Sequence, residues 1–114
     1  MIVPHHRDTF DRRRPVTSFA HLVEDWECNI GEHDLTHRPE TLALHDYTWD
    51  PHALSPELLA TKSARNHEHR VLHHHVFDEE LVGALVERAG FQVRALEHAY
   101  PCHIIAVAER TRER

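Results

Sequence analysis

Residues 77–95 read FDEELVGALVERAGFQVRA, and the architecture turns on this stretch. Asp78 stands where a helix N-cap is wanted. Leu81, Val82, Leu85, Val86 and Ala89 then line one helical face. Phe77, just ahead of the cap, can close over Val82 as a hydrophobic staple. Gly90 sits where a left-handed C-cap ends such a helix. The alternation Phe91-Gln92-Val93-Arg94-Ala95 suits a half-exposed edge strand. Tyr100-Pro101 supplies a turn, and Ile104-Ile105-Ala106-Val107-Ala108 follows as an unbroken apolar run. Such a run predicts a strand covered on both faces, inside a sheet. Two strands joined by a short turn are antiparallel. The spacing therefore predicts a helix, an outer strand, a tight turn and an inner strand running back. The charged tail, Glu109 to Arg114, is expected to fray.

Upstream the signals are weaker. Ile2-Val3-Pro4 reads as the end of a strand, stopped by Pro4. His5 to Pro15 is charged, aperiodic and loop-like. Thr17 can cap a helix reaching about Glu27, with Phe19, Leu22, Val23 and Trp26 on one stripe and Asn29-Ile30-Gly31 as the stop. A short helix is predicted over Pro39 to Tyr47, and another from Ser55 as cap with Pro56 at its first position. Trp49-Asp50-Pro51-His52 is turn material. Residues 29–70, polar, histidine-rich and poor in Val and Ile, read as a helical insertion or lid. Arg70 to Val76 reads as extended.

The 114 residues suffice for one domain, 1–114, with one modest core. With 40% apolar and 28% charged residues the chain fits a soluble globular class. No apolar run approaches the ~20 residues that cross a bilayer, and no secretory leader is recognisable. A cytoplasmic protein without membrane association is expected. The formal charge of -6 disfavours nucleic acid as a partner, and Arg12-Arg13-Arg14 is too short to reverse that. Fourteen histidines should make the net charge swing between pH 5 and 7. Cys28 and Cys102 form no CxxC unit and are expected as free buried thiols.

The text HVFDEEL at 75–81, LVERAGFQV at 85–93 and HIIAVA at 103–108 resembles the end of the class I S-adenosylmethionine-dependent methyltransferases. Ile2-Val3-Pro4 followed by DTFDRRRPVT at 8–17, and a helix carrying His21-Leu22 and Asp25, is similar to the segment after the fifth strand in one bacterial group of them. The resemblance covers residues 1–28 and 70–110. It implies an α/β, Rossmann-like sheet whose last strand reverses and inserts between the fifth and sixth. It also implies methyl transfer from S-adenosylmethionine to a small-molecule or glycan-type acceptor. The family holds the donor with a glycine-rich turn after its first strand and an acidic residue at the end of its second. Gly31, Gly83 and Gly90 form no such turn. The chain is thus expected to be the C-terminal part of the domain, to bind no cofactor and to be inactive alone. Its open strand edge should invite self-association or a chain carrying the missing half.

The candidate site comprises His21 and Asp25 as a catalytic pair, with Asp11, Arg14 and His75 on the substrate side. His21 and Asp25, four apart on a helix, can meet, and a carboxylate beside an imidazole can hold a general base. The alternative for Asp11, Arg14, His21 and Asp25 is a brace in which Arg14 pairs with Asp11 or Asp25, and for His75, just before the helix, a bond to a backbone carbonyl at the helix entrance. Trp26, Trp49 and Tyr47 could wall the acceptor pocket or simply pack. His67, His69, His73 and His75 would share one face of an extended segment, as metal ligands can. Without a Cys/His framework or an HExxH motif, no residue is assigned to a metal. Beside the methyltransferase stand two further readings, a non-catalytic interaction module and a histidine-rich metal-binding protein.

Overall fold

A computed structural model describes residues 1–112. In chain order the elements are β1 (Ile2–Pro4), α1 (Phe19–Glu27), α2 (Arg38–Leu44), α3 (Pro56–Ser63), α4 (Asn66–His69), α5 (Glu79–Arg88), β2 (Phe91–Ala99) and β3 (His103–Arg110), with 3₁₀ turns at His6–Asp8 and Tyr47–Trp49.

The closing unit forms as its sequence dictates. Asp78 Oδ1 accepts the amide of Leu81 at 2.8 Å, and Gly90 takes a φ of 90° after the last turn. Leu81, Val82 and Val86 are buried. Val82 and Val86 pack with Ile104 and Ala106 to form the core, ringed by Val3, Phe77, Val93, Leu96 and Ala108. The sheet order is β1-β3-β2, and β3 is antiparallel to both neighbours. β1 and β2 therefore run parallel to each other with β3 reversed between them. The pairing sets Ile104 opposite Val3 and His98.

Two details of the sheet differ from expectation. The outer strand reaches Ala99, and a bulge between Val93 and Ala95 shifts its register. The extra residue reverses the side-chain phase, so Leu96 rather than Ala95 turns toward the core. β3 is covered on one face only. Ile104 and Ala106 are buried beneath α5, whereas Val107 on the other face is 56% exposed. Its continuous apolar run overstates the cover, because the helix packing on the sheet comes chiefly from α5.

In the middle of the chain α2, α3 and α4 pack on one another. Arg38 joins the first two, donating from Nε to Ser63 Oγ at 3.0 Å and from Nη2 to the carbonyl of Ala60 at 2.9 Å. Ser55 caps α3 through the amide of Leu58. Residues 66–76 correct the extended reading. Asn66–His69 is a helical turn, Arg70 is left-handed at φ 50°, and Asn66 Oδ1 accepts the amides of Val71 and Leu72. The side-chain amide acceptor turns the chain there, so no strand forms. The helix cap also moves. Ser18, not Thr17, caps α1, because Thr17 Oγ1 accepts the amide of Val76 and ties the start of α1 to the lead-in of α5. Trp26 is 78% exposed and leaves Leu22 as the buried residue of its stripe. Neither cysteine is buried: Cys28 is exposed and Cys102 half-buried. Residues 113–114 of the charged tail lie outside the described set, while Glu109 and Arg110 complete β3. Among the described residues no helix is long and apolar enough to cross a membrane.

Candidate functional site

Four side chains from three segments converge beside α1. His21 and Asp25 project from one face of that helix, His37 stands at the N-cap of α2, and His75 lies in the lead-in to α5. Asp25 Oδ2 is the hub. It lies 2.7 Å from His75 Nε2, 3.2 Å from His21 Nε2 and 4.0 Å from His37 Nε2. The Nε2 atoms of His21 and His37 are 3.2 Å apart. All four residues are half-buried. Burial lowers the pKa of His37, and His21, Arg14 and His75 add to the effect against the opposing pull of Asp25. The expected pair of His21 and Asp25 is thus present, with His75 on the same carboxylate. Its geometry is a shared cluster rather than an isolated dyad. Chemically, the cluster can pass a proton among imidazoles or gather a cation.

Asp11 and Arg14 are brought together elsewhere. The Arg14 side chain is 1% exposed. Its Nη1 donates to Asp11 Oδ1 at 2.9 Å and to the carbonyl of His73 at 2.8 Å, and its Nε donates to Glu40 at 3.1 Å. Asp11 Oδ2 meets His73 Nδ1 at 2.5 Å. Burial alone would raise the Asp11 pKa, but the hydrogen bonds and charges of His73 and Arg14 outweigh it and hold the carboxyl below its usual range. The arrangement is the brace, with Asp11 and Glu40 as partners of Arg14 in place of Asp25.

The histidine face expected over residues 67–75 does not form. His67 stacks on His33, His73 is held by Asp11, and His75 by Asp25. The helical turn of α4 separates them in direction. The aromatic wall also disperses, since Trp49 lies under Arg12 at 4.5 Å and Tyr47 packs on His45.

Asp25 and His75 open onto a pocket of about 640 Å³, whose walls are Leu22, Val23, Trp26, Ile30 and Leu85. Arg88 and Ala89 also line it. An apolar cavity of that size with a few convergent polar groups suits a small organic molecule.

A second cluster joins the turn after β1, the end of β2 and the start of α5. His5 and His98 stack at 3.8 Å, His5 Nε2 meets Glu79 at 3.1 Å, and His98 Nε2 meets Asp8. Sequence reasoning missed His37, His5 and His98. Each owes its place to partners distant in the chain, and none carried a local spacing signal. Comparison of the chain with known protein families, with characterised proteins and with solved structures finds no match.

Proposed function

We propose that this chain forms the closing, acceptor-side part of a class I S-adenosylmethionine-dependent methyltransferase. The observation that carries the reading is strand order. β3 runs reversed between two parallel strands, and α5 leads directly into the outer one. That is the arrangement implied by the resemblance of residues 1–28 and 70–110. The three-residue edge strand β1 is where further strands of such a sheet would pair. The apolar pocket beside Asp25 and His75 supports an acceptor of small-molecule or glycan type. The chain's part in transfer is positional: it holds the acceptor and excludes water, and the donor's methyl group comes from the part of the enzyme that carries the glycine-rich turn.

The DNA flanking the Met1 codon tests this reading. An upstream frame encoding strand, glycine-rich turn and helix is the expected result, and no such frame on either side removes the proposal's basis. Isothermal titration of S-adenosylmethionine into the chain alone should give no binding. Tight binding would overturn the division of labour.

A further inference from the structure

We propose that His21, His37 and His75 through Nε2, with Asp25 through Oδ2, form a binding site for one divalent transition-metal ion of the zinc class. The inference is independent of the methyl-transfer reading and stands on the donor set and its spacing.

Zinc takes four ligands at the corners of a tetrahedron, with metal–ligand distances of about 2.0–2.1 Å, so neighbouring donors lie about 3.4 Å apart. The edges recorded here are 2.7, 3.2, 3.2 and 4.0 Å. All four donor atoms lie within 4.8 Å of one another. Small rotations of the imidazoles would even these edges. The chemistry of the donors selects the ion. Three imidazole nitrogens and one carboxylate oxygen suit zinc, and also cobalt or nickel, whereas magnesium and calcium require a shell of oxygens. Without an ion, Asp25 Oδ2 hydrogen-bonds His75 Nε2 at 2.7 Å, while His21 Nε2 lies 3.2 Å and His37 Nε2 4.0 Å from the same oxygen. The Nε2 atoms of His21 and His37 face each other at 3.2 Å, where only one of them can donate.

The second histidine cluster offers fewer donors. His5, Asp8 and His98 also bring theirs within 4.8 Å of one another, but they are three rather than four. His5 Nδ1 already accepts the amide of Arg7, and its Nε2 is engaged by Glu79.

Four protein ligands fill the tetrahedron, which is the pattern of a structural rather than a catalytic zinc site. The ion would pin three segments to one another: α1, the start of α2 and the lead-in to α5. These segments otherwise meet mainly through polar contacts, so the site would stiffen one wall of the apolar pocket.

The test titrates the chelator-treated full chain with zinc chloride by isothermal calorimetry, and with cobalt chloride by visible absorption. One strong equivalent per chain is expected, with the intense bands of tetrahedral cobalt and a raised thermal midpoint. His37→Ala removes a ligand at a helix start where its side chain makes no cap bond. It should weaken zinc by at least roughly tenfold, since loss of an outer-shell partner alone costs that much. His21→Ala, on a partly exposed residue, should do the same and serves if His37→Ala fails to fold. The double variant His67→Ala with His69→Ala, on the exposed α4, should leave the strong equivalent unchanged. The proposal is overturned by a wild-type chain with no strong equivalent, by an octahedral cobalt spectrum, or by binding that survives both ligand variants.

Discussion

The closing unit and the segment before it are built on different forces. From Asp78 onward, α5, β2 and β3 meet through Val82, Val86, Ile104 and Ala106. From His5 to His75 the largest fully buried side chain is Arg14, and long-range polar contacts do the joining. Arg14 reaches Glu40 and the carbonyl of His73, Asp11 reaches His73, and Asp25 reaches His75. Apolar burial is non-directional and tolerates adjustment. A buried ion pair is unforgiving of the loss of one member, because the other is left uncompensated. The two regions should therefore respond differently to truncation.

The largest effect is expected at Arg14. Arg14→Ala leaves Asp11 with His73 alone and strips Glu40 and a carbonyl of their donor. Breaking a buried pair in this way costs about 3–5 kcal/mol. Arg14→Lys should recover little, since an ammonium cannot reproduce the guanidinium's divergent donors. Urea unfolding measures the loss, and hydrogen exchange locates it. Protection retained across α5, β2 and β3 would show the closing unit standing by itself. Loss everywhere would show one cooperative fold and dissolve the contrast between regions.

Ile104→Ala probes the other side. Ile104, the second residue of β3, is fully buried between Val3 and His98 of the neighbouring strands, and its truncation should cost about 2–5 kcal/mol, with the cavity adding to the lost transfer energy. Here exchange should accelerate first in the hairpin. A cost below about 1 kcal/mol would mean that α5 settles into the gap and that the closing unit is less tightly packed than its burial implies.

The same contrast explains what could be read without coordinates. Cap, apolar face, glycine stop and turn at 77–101 are local signals, and each was legible because its cause lies within a few residues. Ser55-Pro56 was legible for the same reason. Thr17 and Ser18 look equally fit to cap the helix, and the distant amide of Val76, which takes the Thr17 hydroxyl, decides between them without leaving a local mark. His67 and His69 looked extended because Asn66, which turns the chain, signals nothing until its amide acceptor finds Val71 and Leu72. Of the site, His21 and Asp25 are visible as helical neighbours and His75 by its place just ahead of a helix. His37 joined them only through tertiary approach, and the burial of Arg14 depended on partners up to 59 positions away.

The smallest expected effect lies in acid, at the carboxyl that holds the brace. Asp11 has its pKa lowered in the folded chain, because His73 and Arg14 together outweigh the burial that opposes them. An unfolded aspartate titrates near about 3.9. The folded protein therefore binds the Asp11 proton less readily than the unfolded chain. The stabilisation is fully present above the unfolded value and is lost as pH falls through the folded one. Carbon-detected NMR of the Asp11 carboxyl should show it titrating below the ordinary aspartate range. Exposed carboxylates such as Glu68, paired with Arg65 and His67 at the surface, should contribute far less to the same acid limb. An Asp11 titration at or above the ordinary value would mean that burial wins over its partners. The brace would then contribute nothing to the acid limb, and the electrostatic half of the comparison would fail at its centre.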